Sequence, residues 1–119
     1  MCSIVSHTMR SPLALRIGSR DDVPGWILID GDCVAVHIGQ DTSILCLAQT
    51  PLLAATLIDH PSPVSLQVKI LAQRLCKTAP GKQVLVSTDC VEDDHQLFWQ
   101  QIMTQVKEKL EEMLSEQAR

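Results

Sequence analysis

Residues 62–90 read SPVSLQVKILAQRLCKTAPGKQVLVSTDC, and this stretch decides the fold: a helix, an abrupt stop, then a buried strand. Ser62 suits a helix N-cap, and Pro63 suits the first helical position, where the backbone N–H would be unpaired anyway. Val64, Val68, Leu71, Ala72 and Leu75 recur at helical spacing, with Lys69, Gln73, Arg74 and Lys77 off that stripe. Pro80 and Gly81 end the run, because proline cannot continue a helix and glycine turns the chain. Residues 83–88 follow, β-branched and apolar on both sides, as an interior strand must be.

Working towards the N-terminus, residues 52–58 read as a strand that Pro51 separates from another at residues 43–49. The latter is two-sided, with Ile44, Cys46 and Ala48 on one face and Leu45 and Leu47 on the other. Residues 39–42 form a turn. Residues 26–38 read as a hairpin around Asp30-Gly31, a favoured pair for a two-residue type I′ turn. That turn sets Ile29 opposite Asp32, Leu28 opposite Cys33 and Ile27 opposite Val34. One hairpin face carries Ile27, Ile29, Val34 and Val36; the other carries Trp26, Leu28, Cys33, Ala35 and His37. Residues 18–25 read as a polar loop, and Leu13, Leu15 and Ile17 alternate as a first strand.

Towards the C-terminus, Asp93 or Asp94 can cap a closing helix, and acids suit that end of the helix dipole. Trp99, Met103, Val106, Leu110 and Met113 recur in alternating steps of four and three, with Leu97, Ile102 and Leu114 beside them. This predicts a long amphipathic helix to about Ser115. The fold class is therefore α+β: a mainly antiparallel sheet of five or six strands with two helices, the second long and C-terminal. Residues 1–119 make one domain at this length.

Strands apolar on both faces carry a consequence. Two helices can cover one face of such a sheet, and no segment remains for the other. A second subunit, packed sheet on sheet, is the simplest cover.

Composition narrows the function. Hydrophobic residues make up 45% of the chain, but aromatics only 3%, with no Tyr and one Phe, which argues against a base-stacking nucleic-acid surface. The net charge is −4. Acids and bases balance over residues 1–91, so the excess lies in the last segment, the opposite of a phosphate-binding bias. Cys2, Cys33, Cys46, Cys76 and Cys90 are odd in number and scattered, as reduced thiols of the cytosol or nucleus are. No apolar run is long enough to span a bilayer. Residues 1–20 hold Arg10, Arg16, Arg20 and four serines without an acid, the composition of a transit peptide, but Pro12 and the alternation of Leu13, Leu15 and Ile17 favour a strand.

No catalytic signature emerges. On a strand, Cys33 and His37 share a face about 13 Å apart, too far for one metal. Cys90 and His95 lack a supporting ligand pair, and Gly39-Gln40-Asp41-Thr42 lacks the glycine pattern and lysine of a phosphate loop. The expected catalytic, metal and cofactor-binding residues are none, and the partner-binding residues are left unassigned.

Leu71-Ala72-Gln73-Arg74-Leu75 and Lys82-Gln83-Val84-Leu85-Val86-Ser87 resemble the proteasome assembly chaperone 4 family. The paired strands of residues 26–38 and the acidic, lysine-bearing helix of residues 106–116 fit the same pattern. Two departures stand out: residues 78–81 make a slightly longer helix–strand link, and residues 59–63 a shorter, proline-richer loop. The resemblance implies a non-enzymatic chaperone of cytosol and nucleus that needs no cofactor. It implies a heterodimer with a proteasome assembly chaperone 3-like subunit, binding to α-type subunits of the 20S proteasome, and ordering of the α-ring. Nucleic acid and membrane are not among the implied partners. A dimeric trafficking or signalling scaffold of the longin or roadblock kind is the alternative, since those also join a two-sided sheet to helices.

Overall fold

A computed structural model of the chain describes residues 8–17, 20–59, 64–90 and 96–117. The alternating segments become β1 (Met9–Ile17), β2 (Arg20–Asp30), β3 (Cys33–Ile38), β4 (Ile44–Thr50), β5 (Leu53–Ile58) and β6 (Gln83–Thr88). The two 3.6-period segments become α1 (Val64–Thr78) and α2 (Gln96–Gln117). The strands form one six-stranded sheet in the order β1-β2-β3-β6-β4-β5. All neighbours are antiparallel except β3 and β6, which run parallel. The fold is α+β, with β6 inside the sheet as its two-sided pattern requires.

Both helices pack on one face. The stripe of α1, Val64, Val68, Leu71, Ala72 and Leu75, is buried, while Arg74 and Lys77 are exposed. The helix-side face of the sheet carries Ile27, Ile29, Val34, Val36, Ile44, Cys46, Val84 and Val86, all essentially inaccessible. The buried line of α2 runs through Ile102, Val106 and Leu110, flanked by Phe98, Trp99 and Met113. Met103 is half-buried and Leu97 exposed, so the stripe is centred one residue earlier than the Met103 register implies. A helix face is wider than one heptad seam, and the neighbouring element chooses its centre. Gln105 fixes α2 to the sheet edge: its Oε1 accepts from Arg16 N at 2.9 Å and its Nε2 donates to Arg16 O at 2.7 Å.

Two local expectations are corrected. Residues 20–25 are strand rather than loop: β2 starts at Arg20, and Val23, Pro24 and Gly25 pair with Leu15, Ala14 and Leu13. Cross-strand pairing and the burial of Val23 override the polar composition there. The hairpin turn is Gly31-Asp32, not Asp30-Gly31, so Ile29 faces Val34 and Ile27 faces Val36. Gly31 takes the first central turn position with φ +57°, a conformation that suits glycine. Moving the turn by one residue shifts each pairing by two, so both hairpin faces keep the composition read from the sequence.

The link from β3 to β4 is tied to the end of β6. Gly39 has φ +100°, and a Cβ there would overlap the Asp89 carboxylate. Asp89 Oδ2 accepts from the backbone N–H groups of Gln40 at 3.2 Å and Asp41 at 3.0 Å. Burial pushes the Asp89 carboxyl up, but these donors outweigh it and hold the group below its ordinary value. Ser62, Asp93, Asp94 and His95, expected as caps or candidate ligand, lie outside the described residues.

Candidate functional site

The face of the sheet opposite the helices is the site. Register places its side chains in two rows. One runs Arg10, Leu28, Ala35, Leu85, Leu47 and Ala55; the other runs Pro12, Trp26, His37, Ser87, Leu45 and Ile58. Leu28, Ala35, Leu85, Leu47 and Leu45 are half-buried by their neighbours alone. At the β5 margin Leu53, Leu57 and Ile58 are exposed, at 58%, 54% and 46%. No described element packs on this side, because α1 lies on β4, β5 and β6, and α2 on β1, across the opposite face. The centre of the face is uncharged, and Arg10 and Asp30 stand at its margin.

Within this apolar field four side chains form a ladder across β1, β2, β3 and β6. The Arg10 guanidinium carbon lies 5.5 Å from the centroid of the Trp26 ring. Trp26 stacks on His37, with centroids 5.6 Å apart and planes at 27°. His37 Nδ1 lies 2.7 Å from Ser87 Oγ. His37 is 6% exposed, a nearly buried imidazole at the middle of a mostly apolar face.

The Ser87–His37 contact meets the first geometric requirement of a nucleophile and its base. It goes no further among the described residues, because no third group hydrogen-bonds the imidazole, and four clefts of the molecule, between α1 and α2, beside β1, and beside the β4–β5 turn, lie elsewhere. Three of the thiols, Cys33, Cys46 and Cys76, are also poor nucleophiles. Burial pushes Cys33, Cys46 and Cys76 up, assisted at Cys33 by the nearby Asp30 charge, while Thr56 and Lys69 only partly offset it at Cys46. Cys33 and His37 lie on one face as read from the sequence, but the imidazole is held by Ser87 instead. No group of three or more metal-ligating side chains occurs among the described residues. The meeting of His37 with Ser87 was not legible, because it arises from the parallel, in-register pairing of strands whose partners lie 50 residues apart in the chain. No helix among the described residues is long and apolar enough to cross a membrane.

These features define a class of fold: a mixed six-stranded sheet, two helices on one face, and a broad apolar face that no described element covers. No protein-family model and no curated protein matches the chain. Among solved structures, a chaperone complex for yeast 20S proteasome assembly is similar in fold, with a TM-score of 0.55 at 12% identity over 91% of this chain and 97% of that one. The chain has the fold of that chaperone.

Proposed function

We propose that this protein is a non-enzymatic chaperone of 20S proteasome assembly. It works as a heterodimer with a related subunit, similar to proteasome assembly chaperone 3, that covers the bare sheet face. The pair binds α-type subunits and orders the α-ring, in the cytosol and nucleus by resemblance to that family. One observation carries the reading: a sheet face of Leu28, Leu45, Leu47, Leu85 and Trp26, left open by both helices, on a fold shared with a proteasome-assembly chaperone. An apolar surface of that extent drives association wherever a complementary face exists.

Mass-spectrometric identification of what copurifies with the chain tests the proposal. Proteasome α subunits together with a second small chaperone subunit support it. Regulators of small GTPases in their place would move the protein to the class of trafficking scaffolds.

A further inference from the structure

On the helix side, α1 and α2 leave a groove between them. They run in the same direction, because β6 returns the chain: residues 67–71 lie beside 99–100, and 74–78 beside 103–111. Towards the helix N-termini the groove is an apolar hollow of about 110 Å³, bounded by Ile70, Leu71, Trp99 and Met103. Past Arg74 and Met103, which border both parts, it opens into a trough of about 920 Å³. Lys77 and Lys107 line the trough with Arg74, and Glu108 and Glu111 stand on its α2 side.

Among the described residues none of these three cations is ion-paired; the pair that α2 does make, Lys109 with Glu112, lies outside the groove. The α1 wall is wholly cationic, since the helix carries Lys69, Arg74 and Lys77 and no Asp or Glu. The threonines of the trough turn their hydroxyls to their own helices, Thr78 donating to Arg74 O at 3.4 Å and Thr104 to Gln100 O at 3.0 Å. The guanidinium and the two ammonium groups are therefore the trough's unmatched charged donors, in a chain whose net charge is −4.

We infer that this groove docks a segment of another protein that carries one aliphatic side chain flanked by carboxylates. The aliphatic group fills the hollow, and the carboxylates meet Arg74 and Lys77 along the α1 wall, where a guanidinium binds a carboxylate through two parallel hydrogen bonds. Charge complementarity selects this occupant. A uniformly charged polyphosphate or nucleic acid fits worse, because Glu108 and Glu111 repel it and the groove's aromatic ring, Trp99, is buried. A wholly apolar segment also fits worse, because it covers cations without giving them partners. This surface lies across the sheet from the bare face and does not depend on it.

A fluorescein-labelled peptide, Glu-Glu-Leu-Glu-Glu capped at both ends, is titrated with the purified full-length chain and followed by anisotropy. Two further peptides carry glycine for the leucine, or lysine for every glutamate. Arg74→Glu with Lys77→Glu reverses the α1 wall, and Arg74→Gln with Lys77→Gln neutralises it. Lys69→Glu with Lys109→Glu makes the same change in net charge outside the groove. Circular dichroism establishes that each is folded, and either Arg74 pair alone suffices. The expected result is saturable binding that falls roughly tenfold or more with either altered peptide and either Arg74 pair, weakens as salt is raised, and survives the Lys69 and Lys109 pair. Absence of saturable binding, equal losses in the two charge-reversed pairs, or indifference to the leucine overturns the assignment. Displacement of the peptide by a single-stranded oligouridylate more readily than by unlabelled peptide gives the groove to phosphate and overturns it as well.

Discussion

Leu85→Asp separates the two jobs of the sheet. Leu85 sits on β6 between Ala35 and Leu47, half-buried by its own row and turned away from the helices. Its neighbours in sequence, Val84 and Val86, are fully buried beneath α1 and carry the core. A carboxylate at position 85 can reach water in the lone chain, so unfolding stability falls by about 1–2 kcal/mol at most. In a closed sheet-on-sheet contact the same carboxylate is trapped among leucines. Two rows over six strands present roughly 400 Å² of sheet plane, about 10 kcal/mol of gross apolar driving force at ~25 cal/mol per Å². One unpaired charge at its centre removes about 3 kcal/mol or more of that, near 150-fold in affinity. The assay is sedimentation across a concentration series, paired with thermal unfolding of the same samples. A variant that associates as wild type does, with an unchanged melting curve, refutes the assignment of this face. A variant that unfolds outright shows instead that the face belongs to the core.

Ile102→Asp places a charge in the sealed seam of α2 and lowers stability by about 4 kcal/mol or more, whereas the exposed Lys107→Ala changes little; urea unfolding of the two distinguishes them. Gln105→Ala removes both hydrogen bonds to the Arg16 backbone and lowers stability by about 1–2 kcal/mol, with hydrogen exchange rising first along β1. The Asp89 carboxyl is held below its ordinary value, so its contribution is present above the unfolded value of ~3.9 and is lost as pH falls through the lower folded one. An acid titration of Asp89→Asn therefore shows a smaller loss of stability below about pH 4 than wild type does.

Much of this fold was readable because burial leaves period-two and period-3.6 patterns that survive local error. The hairpin turn lies one residue later than the Asp30-Gly31 pair suggests, yet the even register shift left Trp26, Leu28 and Ala35 on the bare face. Residues 20–25 could not be read as strand, since their order comes from pairing with β1 rather than from their own propensity. The α2 stripe was legible in period but not in phase, because Ile102 and Met103 are equally apolar and only contact with the sheet and α1 distinguishes them. The bare face followed from counting faces against helices. The Trp26–His37–Ser87 ladder did not, since a parallel β3–β6 pairing across a crossover leaves no mark in either strand alone.

The central claim is that this chain, with a partner on its sheet face, engages proteasome α subunits. Native mass spectrometry after co-expression of the chain with a proteasome assembly chaperone 3-like subunit and the α-type subunits of its own cell tests it most directly. The account predicts a complex holding one copy of this chain, one copy of the second chaperone and at least one α subunit, lost on Leu85→Asp. A soluble monomer that joins neither the second chaperone nor any α subunit at micromolar concentration would contradict it.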